Sequence, residues 1–252
     1  MPRSVEFGRL ALSGVVWFLL HAAVAGSGLR FTLIERFGEK AYRGGFSLAS
    51  VASLLWLIHE FGRAAYSPLW VTPAALSFVP ILLVPLAFIF LAGAFTVPNP
   101  TAVGGEKLLA AEDAARGMLR VTRHPFLWSA VMWALSHLLV NADLGSLIFF
   151  GSLGTTALRG TFDIDSKRRR AKPVDFARFE AKTSNLPFAA VLAGRNRLVA
   201  RELWVPVALG LALAVGSIAL HPRFFGGSAI PAFLTSASDS AAPRVALGAL
   251  TP

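Results

Sequence analysis

Cysteine is absent from this 252-residue chain. That excludes a disulfide framework, thiolate metal sites and a cysteine nucleophile. Charge is scarce as well. Asp, Glu, Lys and Arg together make up 15% of the residues, against about a quarter in a soluble domain. Acidic residues are the rarer sign, with 14 Asp and Glu against 24 Lys and Arg and a net charge of +10. No internal repeat is visible. What the chain has in abundance is hydrocarbon: 55% of residues are hydrophobic and the mean hydropathy is +0.60. Apolar stretches recur along most of its length, which argues against a water-soluble enzyme with one packed core. The positive excess sits in a few loops. It therefore reads as membrane topology and not as nucleic-acid binding.

A membrane-crossing helix needs roughly 20 mostly apolar residues. Six segments are candidates: Phe7–Gly26, Gly44–Gly62, Ala74–Phe95, Pro125–Val140, Leu144–Leu158 and Leu203–Leu220. The fold class predicted is thus all-α, a polytopic membrane bundle of about six helices in one domain over residues 1–226. The fourth and fifth segments are short and separated only by Asn141, Ala142 and Asp143, which predicts a tight helical hairpin. Pro80 and Pro85 are expected to kink the third. Residues 173–201 mix Phe176, Phe179 and Leu186 with basic residues, the pattern of an interfacial helix followed by a loop. Residues 227–252 are rich in Ala, Ser, Gly and Pro and are expected to be disordered. Arg3 and Arg9 ahead of the first apolar run, with Ala23-Val24-Ala25 after it, also resemble a signal peptide. His21 within the run and the later spans favour a retained helix.

Counting Lys and Arg between the segments gives 19 in the first, third and fifth connections and 5 elsewhere. The positive-inside bias places those three connections in the cytoplasm, and both termini outside it, in a bacterial inner membrane. Lys167-Arg168-Arg169-Arg170 is read mainly as part of that signal, with anionic lipid as a compatible partner.

Five histidines remain. An ionisable residue inside a bilayer is a functional candidate by default, although many such histidines simply hydrogen-bond across a helix interface. His21, His59 and His137 fall within spans; His124 and His221 fall at span boundaries. Neutral imidazole suits a metal, and haem iron suits an apolar bundle. Under this topology His21 and His137 differ in depth by about 14 Å at 1.5 Å per residue, so His59 with His137 is the competing pair. Val121-Thr122-Arg123-His124-Pro125 opens the fourth span. Pro125 suits a first helical turn, and the helix start beside Arg123 and His124 favours an anion. A basic pair flanking a span is the plainer reading. Trp133 lies four residues before His137, on the same helix face.

Several motifs in order carry a resemblance: His21 with Gly28-Leu29-Arg30, Gly38-Glu39-Lys40-Ala41-Tyr42-Arg43, Thr122-Arg123-His124-Pro125, Trp133-Ala134-Leu135-Ser136-His137, Asn141-Ala142-Asp143-Leu144, Thr183–Phe188 with Gly194-Arg195, and His221-Pro222. On these the chain resembles the NnrU family of bacterial membrane proteins, related to the plant zeta-carotene isomerases. The resemblance implies haem b held by His21 and His137; beside it, Trp133 is read as packing or pocket wall, and Arg123 and His124 as binding an anionic group such as a haem propionate. It implies cis-trans isomerisation of an apolar polyene, or a part in nitric oxide and nitrite metabolism (denitrification). The isomerase branch carries a cysteine three residues before its second histidine; Ala134 stands there in this chain, so any ligand switch at that position is absent. A second resemblance competes. The Arg-His-Pro corner is similar to membrane methyltransferases that bind S-adenosylmethionine, for which Asp165, Glu180, Phe176 and Phe179 are further candidates. A non-catalytic assembly or transport factor is the third class. Membrane lipid and an apolar small molecule are the expected partners; nucleic acid is not.

Overall fold

The N-terminal apolar run folds as α1 (Arg3–Leu19) and passes directly into a π-helical turn, Leu20–Ala25. These coordinates are a computed structural model, which describes residues 3–225. The expected disordered tail lies outside the described residues. After α1 come α2 (Leu29–Phe37) and α3 (Glu39–Arg63). Gly38 alone separates them, at φ 81, a backbone region that only glycine enters without strain. A 3₁₀ turn at Ala74–Phe78 leads into α4 (Val79–Thr96). Pro80 falls in the first turn of α4, where its missing N–H is harmless; Pro85 is the proline inside the helix.

Residues 97–124 form a long connection with 3₁₀ turns at Glu106–Ala110 and Gly117–Arg120. Then follow α5 (Pro125–Asn141), α6 (Leu144–Ala171), α7 (Pro173–Lys182), the single turn α8 (Ala189–Leu192) and α9 (Ala200–Phe225). The hairpin between α5 and α6 is as tight as expected. Ala142 takes a left-handed conformation, and the Asp143 carboxylate accepts from the Ser146 N–H at 3.0 Å to cap α6. Among the described residues there is no strand, only an isolated bridge between Pro68 and Asp143.

Six helices run in alternating directions between two faces. On one face the α3–α4 connection meets the α5–α6 turn: the Leu69 N–H donates to Ala142 O at 2.8 Å and the Leu144 N–H to Ser67 O at 2.9 Å. On the other, the Lys167 ammonium reaches Ala25 O at 3.0 Å, and Arg168 reaches Pro100 O at 3.0 Å and Ala102 O at 2.7 Å. Four helical stretches are long and apolar enough to cross a membrane: Ser4–Ala25, Glu39–Arg63, Ala75–Thr96 and Ala200–Phe224. The remaining two expected spans are helical but fall outside that group. The helix α5 has 17 residues, and α6 continues past Leu158 into charged sequence. The expected count of six is therefore met by four on length and composition.

The core follows from this order. Leu10, Leu57, Ala134, Phe149 and Phe150 join α1, α3, α5 and α6. Ala87, Phe90, Met118, Val121 and Met132 join α4, α5 and the long connection. Phe176 and Phe179 of α7 insert against Leu109, Ala115 and Leu119, which anchors α7 to that connection.

Candidate functional site

At the face where α5 begins, Arg123 and His124 are 5% and 2% exposed. Pro125 starts α5 and leaves His124 in a non-helical conformation ahead of it. The side chains turn inward onto α6, where Asp165 is 5% exposed. The Arg123 guanidinium forks onto this carboxylate, Nε at 2.9 Å and Nη2 at 2.6 Å, and Nη2 also reaches Glu180 Oε1 of α7 at 3.1 Å. His124 Nε2 lies 2.7 Å from Asp165 Oδ1. Burial keeps this imidazole below its ordinary pKa, against the pull of Asp165. The ring is therefore neutral and donates Nε2–H. Burial also opposes ionisation of Asp165, but hydrogen bonds from His124 and Arg123 outweigh it and hold the carboxyl below its usual range.

The segment before α8 clamps the same corner. The Arg123 N–H donates to Ser184 O at 3.0 Å, the Thr122 hydroxyl to Asn185 O at 2.6 Å and the Phe188 N–H to Val121 O at 2.8 Å. Asn185 links outward: its amide donates to Thr161 at 2.9 Å and accepts from the Trp128 indole at 3.3 Å. The expected anion for Arg123 and His124 is thus supplied by the chain itself, as Asp165 and Glu180. The residues considered for S-adenosylmethionine also converge, since the Phe176 ring lies 5.8 Å from the Arg123 guanidinium. They pack on one another, and Phe176 and Phe179 are 0% and 3% exposed.

The two candidate iron ligands occupy matched local settings. His21 Nδ1–H donates to Trp17 O at 2.9 Å, and His137 Nδ1–H donates to Trp133 O at 2.8 Å. Each ring also packs on the tryptophan one turn earlier, at centroid distances of 4.1 and 4.8 Å. In both turns the carbonyl fixes the tautomer and leaves Nε2 for another partner, the orientation a metal-ligating histidine needs. Their surroundings then diverge. His21 meets Phe46 of α3 edge-on at 5.4 Å, whereas His137 stacks on Phe150 of α6 at 4.4 Å.

Haem b between these rings can be tested on helix register. Gly14 of α1 faces Ser152 of α6, and Gly26 faces Asp163. His21 is then level with about residue 158, eight residues along α6 from Phe150, or about 12 Å in depth. The donor atoms suit iron, and the register sets the two imidazoles at different depths along the bundle. His59 is exposed on α3 and joins neither ring. No group of three or more His, Asp or Glu side chains suited to a metal ion occurs among the described residues.

Sequence reasoning passed over two features. Trp17 stands to His21 as Trp133 stands to His137, a repeat legible from the spacing alone. Beside His21, Trp17 Nε1 and Ser50 Oγ are buried without a partner among the described residues. Because α3 runs antiparallel to α1 and His21 meets Phe46, Ser50 comes level with Trp17. Two unsatisfied polar atoms thus face one level of the α1–α3 seam, which is costly unless a guest or water completes them.

Comparison with known proteins bears on the whole of this arrangement. The chain is 26% identical over 225 residues to the chloroplastic 15-cis-zeta-carotene isomerase of Arabidopsis thaliana, which covers 85% of this chain and 59% of that protein. It is 26% identical over 196 residues to the Zea mays protein of the same name, covering 75% of this chain and 52% of that one. It thus spans little more than half the length of these curated relatives. No solved structure matches it. The family model described as NnrU protein matches residues 9–229, a span that contains most of α1, the buried corner and both histidine turns, and the chain belongs to that family.

Proposed function

We propose that this membrane protein isomerises a carbon–carbon double bond of an apolar polyene. The observation that carries the reading is the match, over most of the chain, to two plant 15-cis-zeta-carotene isomerases. Isomerisation of a hydrocarbon calls for a site among membrane helices, without bulk water or a soluble co-substrate, and an apolar bundle offers such surroundings. Within this reading the Trp17–His21 and Trp133–His137 turns are the sites for substrate or cofactor, and the Arg123–His124–Asp165 corner holds the helices that present them. A haem b held by His21 and His137 would bring a Lewis-acidic iron to the conjugated chain, and no step is routed through it. The basic face is cytoplasmic by the positive-inside rule, and the protein is a multi-pass component of a bacterial inner membrane.

The test is isomer analysis. Membranes containing the protein, incubated with 15-cis-zeta-carotene in the dark, should lose the 15-cis isomer faster than membranes without it. Equal isomer ratios, with folded protein present, would reject the activity.

A further inference from the structure

At the basic face, the π-helical turn, α2 and the start of α3 enclose a groove of about 400 Å³, within the ~300–1,000 Å³ of small-molecule sites. Leu20 and Val24 form one wall, Leu33 and Phe37 a second, and Tyr42, Gly45 and Phe46 the third. Tyr42 brings the one polar side chain. Over its ring sits the Arg30 guanidinium, 5.8 Å from the centroid. Arg30 makes no ion pair among the described residues, and neither do Arg36 and Lys40 of the same rim. Lys167 approaches Arg30 closely enough for mutual repulsion, and its ammonium is held by the neutral carbonyl of Ala25. Asp163 attracts Lys167 from a distance but bonds Arg159, at 3.2 Å. Two cations thus adjoin the mouth of an apolar slot, and neither has a carboxylate within ion-pair distance among the described residues. A neutral hydrocarbon would fill the slot and add no charge partner for Arg30.

We propose that this groove binds one anionic phospholipid, with an acyl chain between α2 and α3 and the phosphate between Arg30 and Lys167. The assignment is independent of the isomerase reading. It places a lipid beside the His21 turn, where the π-helical segment gives α1 a local irregularity of a kind often found at functional sites.

The purified full-length protein, stripped of lipid in detergent, is titrated with palmitoyl-oleoyl phosphatidylglycerol or with the matching phosphatidylcholine and followed by native mass spectrometry. One phosphatidylglycerol should bind, at least about fivefold more tightly than phosphatidylcholine, the effect expected of one interfacial cation. Arg30→Gln should reduce that preference and leave phosphatidylcholine binding unchanged. Gly45→Leu should weaken both lipids, because a side chain there meets nothing within 4 Å and grows into the groove. Ala41→Leu, on the same wall, is the second variant should Gly45→Leu fail to fold. Equal affinity for the two lipids, or unchanged binding in the filled groove, overturns the proposal. So does a neutral polyene that displaces phosphatidylglycerol one for one and binds Arg30→Gln as well as wild type; the groove would then belong to the substrate.

Discussion

His124 Nε2 meets Asp165 Oδ1 at 2.7 Å although 41 residues separate them in sequence. They meet because α5 starts at the face where α6 leaves its apolar stretch. The hairpin between these helices is only two residues, Ala142 and Asp143, so the start of one is brought beside the far half of the other. Arg123 completes the group, and the clamp from residues 183–188 seals it. A basic corner that looks built for an external anion is, in the folded chain, a keystone between α5, α6 and α7.

Removing the shared carboxylate leaves that corner with unpaired buried donors and charge. Asp165→Asn should cost roughly 3–5 kcal/mol, the range for breaking a buried ion pair from one side. Glu180→Gln should cost far less, because Glu180 is partly exposed and bonds Arg123 through one contact. Chemical unfolding in detergent gives both values. Equal costs would contradict the central place given to Asp165.

Acid should weaken the same corner in two stages. Burial holds His124 below its ordinary 6.5, and the Asp165 carboxyl lies below its ordinary 3.8. In each case the unfolded chain takes up the proton first, so stability falls as pH falls. The His124 contribution is complete above 6.5 and is lost as pH drops through the folded value; Asp165 adds a second loss below 3.8. The unfolding midpoint should be flat above pH 7 and decline on acidification from about 6.5, and His124→Gln should reduce the first stage. A midpoint that rises with acid would contradict this.

Much of the fold was legible because membrane helices advertise themselves by composition. Pro125 and the Asn141-Ala142-Asp143 turn set the ends of α5, and the mixed aromatic and basic run of residues 173–182 gave the interfacial α7. The α2 helix was missed because nine residues with charges at Arg30, Glu35 and Arg36 read as a loop. The partners of the Arg-His-Pro corner were less visible. Asp165 and Glu180 lie 42 and 57 residues from Arg123, and no period or spacing links such distant positions. Lys167 and Arg168 read as topology charge, yet both turn inward to bind carbonyl groups. Local spacing did reveal the shared face of Trp133 and His137; it could not reveal how far His21 stands from it.

Close helix packing supplies a further prediction. A Cβ on Gly210 of α9 would fall well inside contact distance of the Ile89 backbone in α4, whereas one on Gly216 meets nothing within 4 Å. Gly210→Ala should separate the two helices and cost about 1–3 kcal/mol, as overpacking does. Gly216→Ala should be neutral or slightly stabilising. Thermal midpoints of the two variants decide the matter; equal midpoints would contradict the packing.

Orientation can be read directly, because the chain has no native cysteine. Val71 is 92% exposed in the α3–α4 connection and Val103 is 88% exposed in the α4–α5 connection. In intact bacterial cells, Val71→Cys should react with an impermeant maleimide and Val103→Cys should react only after lysis. The reverse pattern would invert the proposed topology.

The isomerase reading also predicts a variant that separates chemistry from stability. Ser50 Oγ has no partner among the described residues, so Ser50→Ala should leave the unfolding midpoint unchanged or slightly raised. A hydrocarbon offers this hydroxyl no hydrogen bond, so the variant should lower the rate of polyene isomerisation only if a cofactor or ordered water of the site completes it. An unchanged rate would remove the α1–α3 seam from the site.

The most direct measurement is the isomer ratio itself. Wild-type protein in dark membranes supplied with 15-cis-zeta-carotene should shift the pigment toward its all-trans central bond, and His21→Ala and His137→Ala should each slow that shift at undiminished protein level. A 15-cis fraction that stays the same with and without folded wild-type protein would contradict the account.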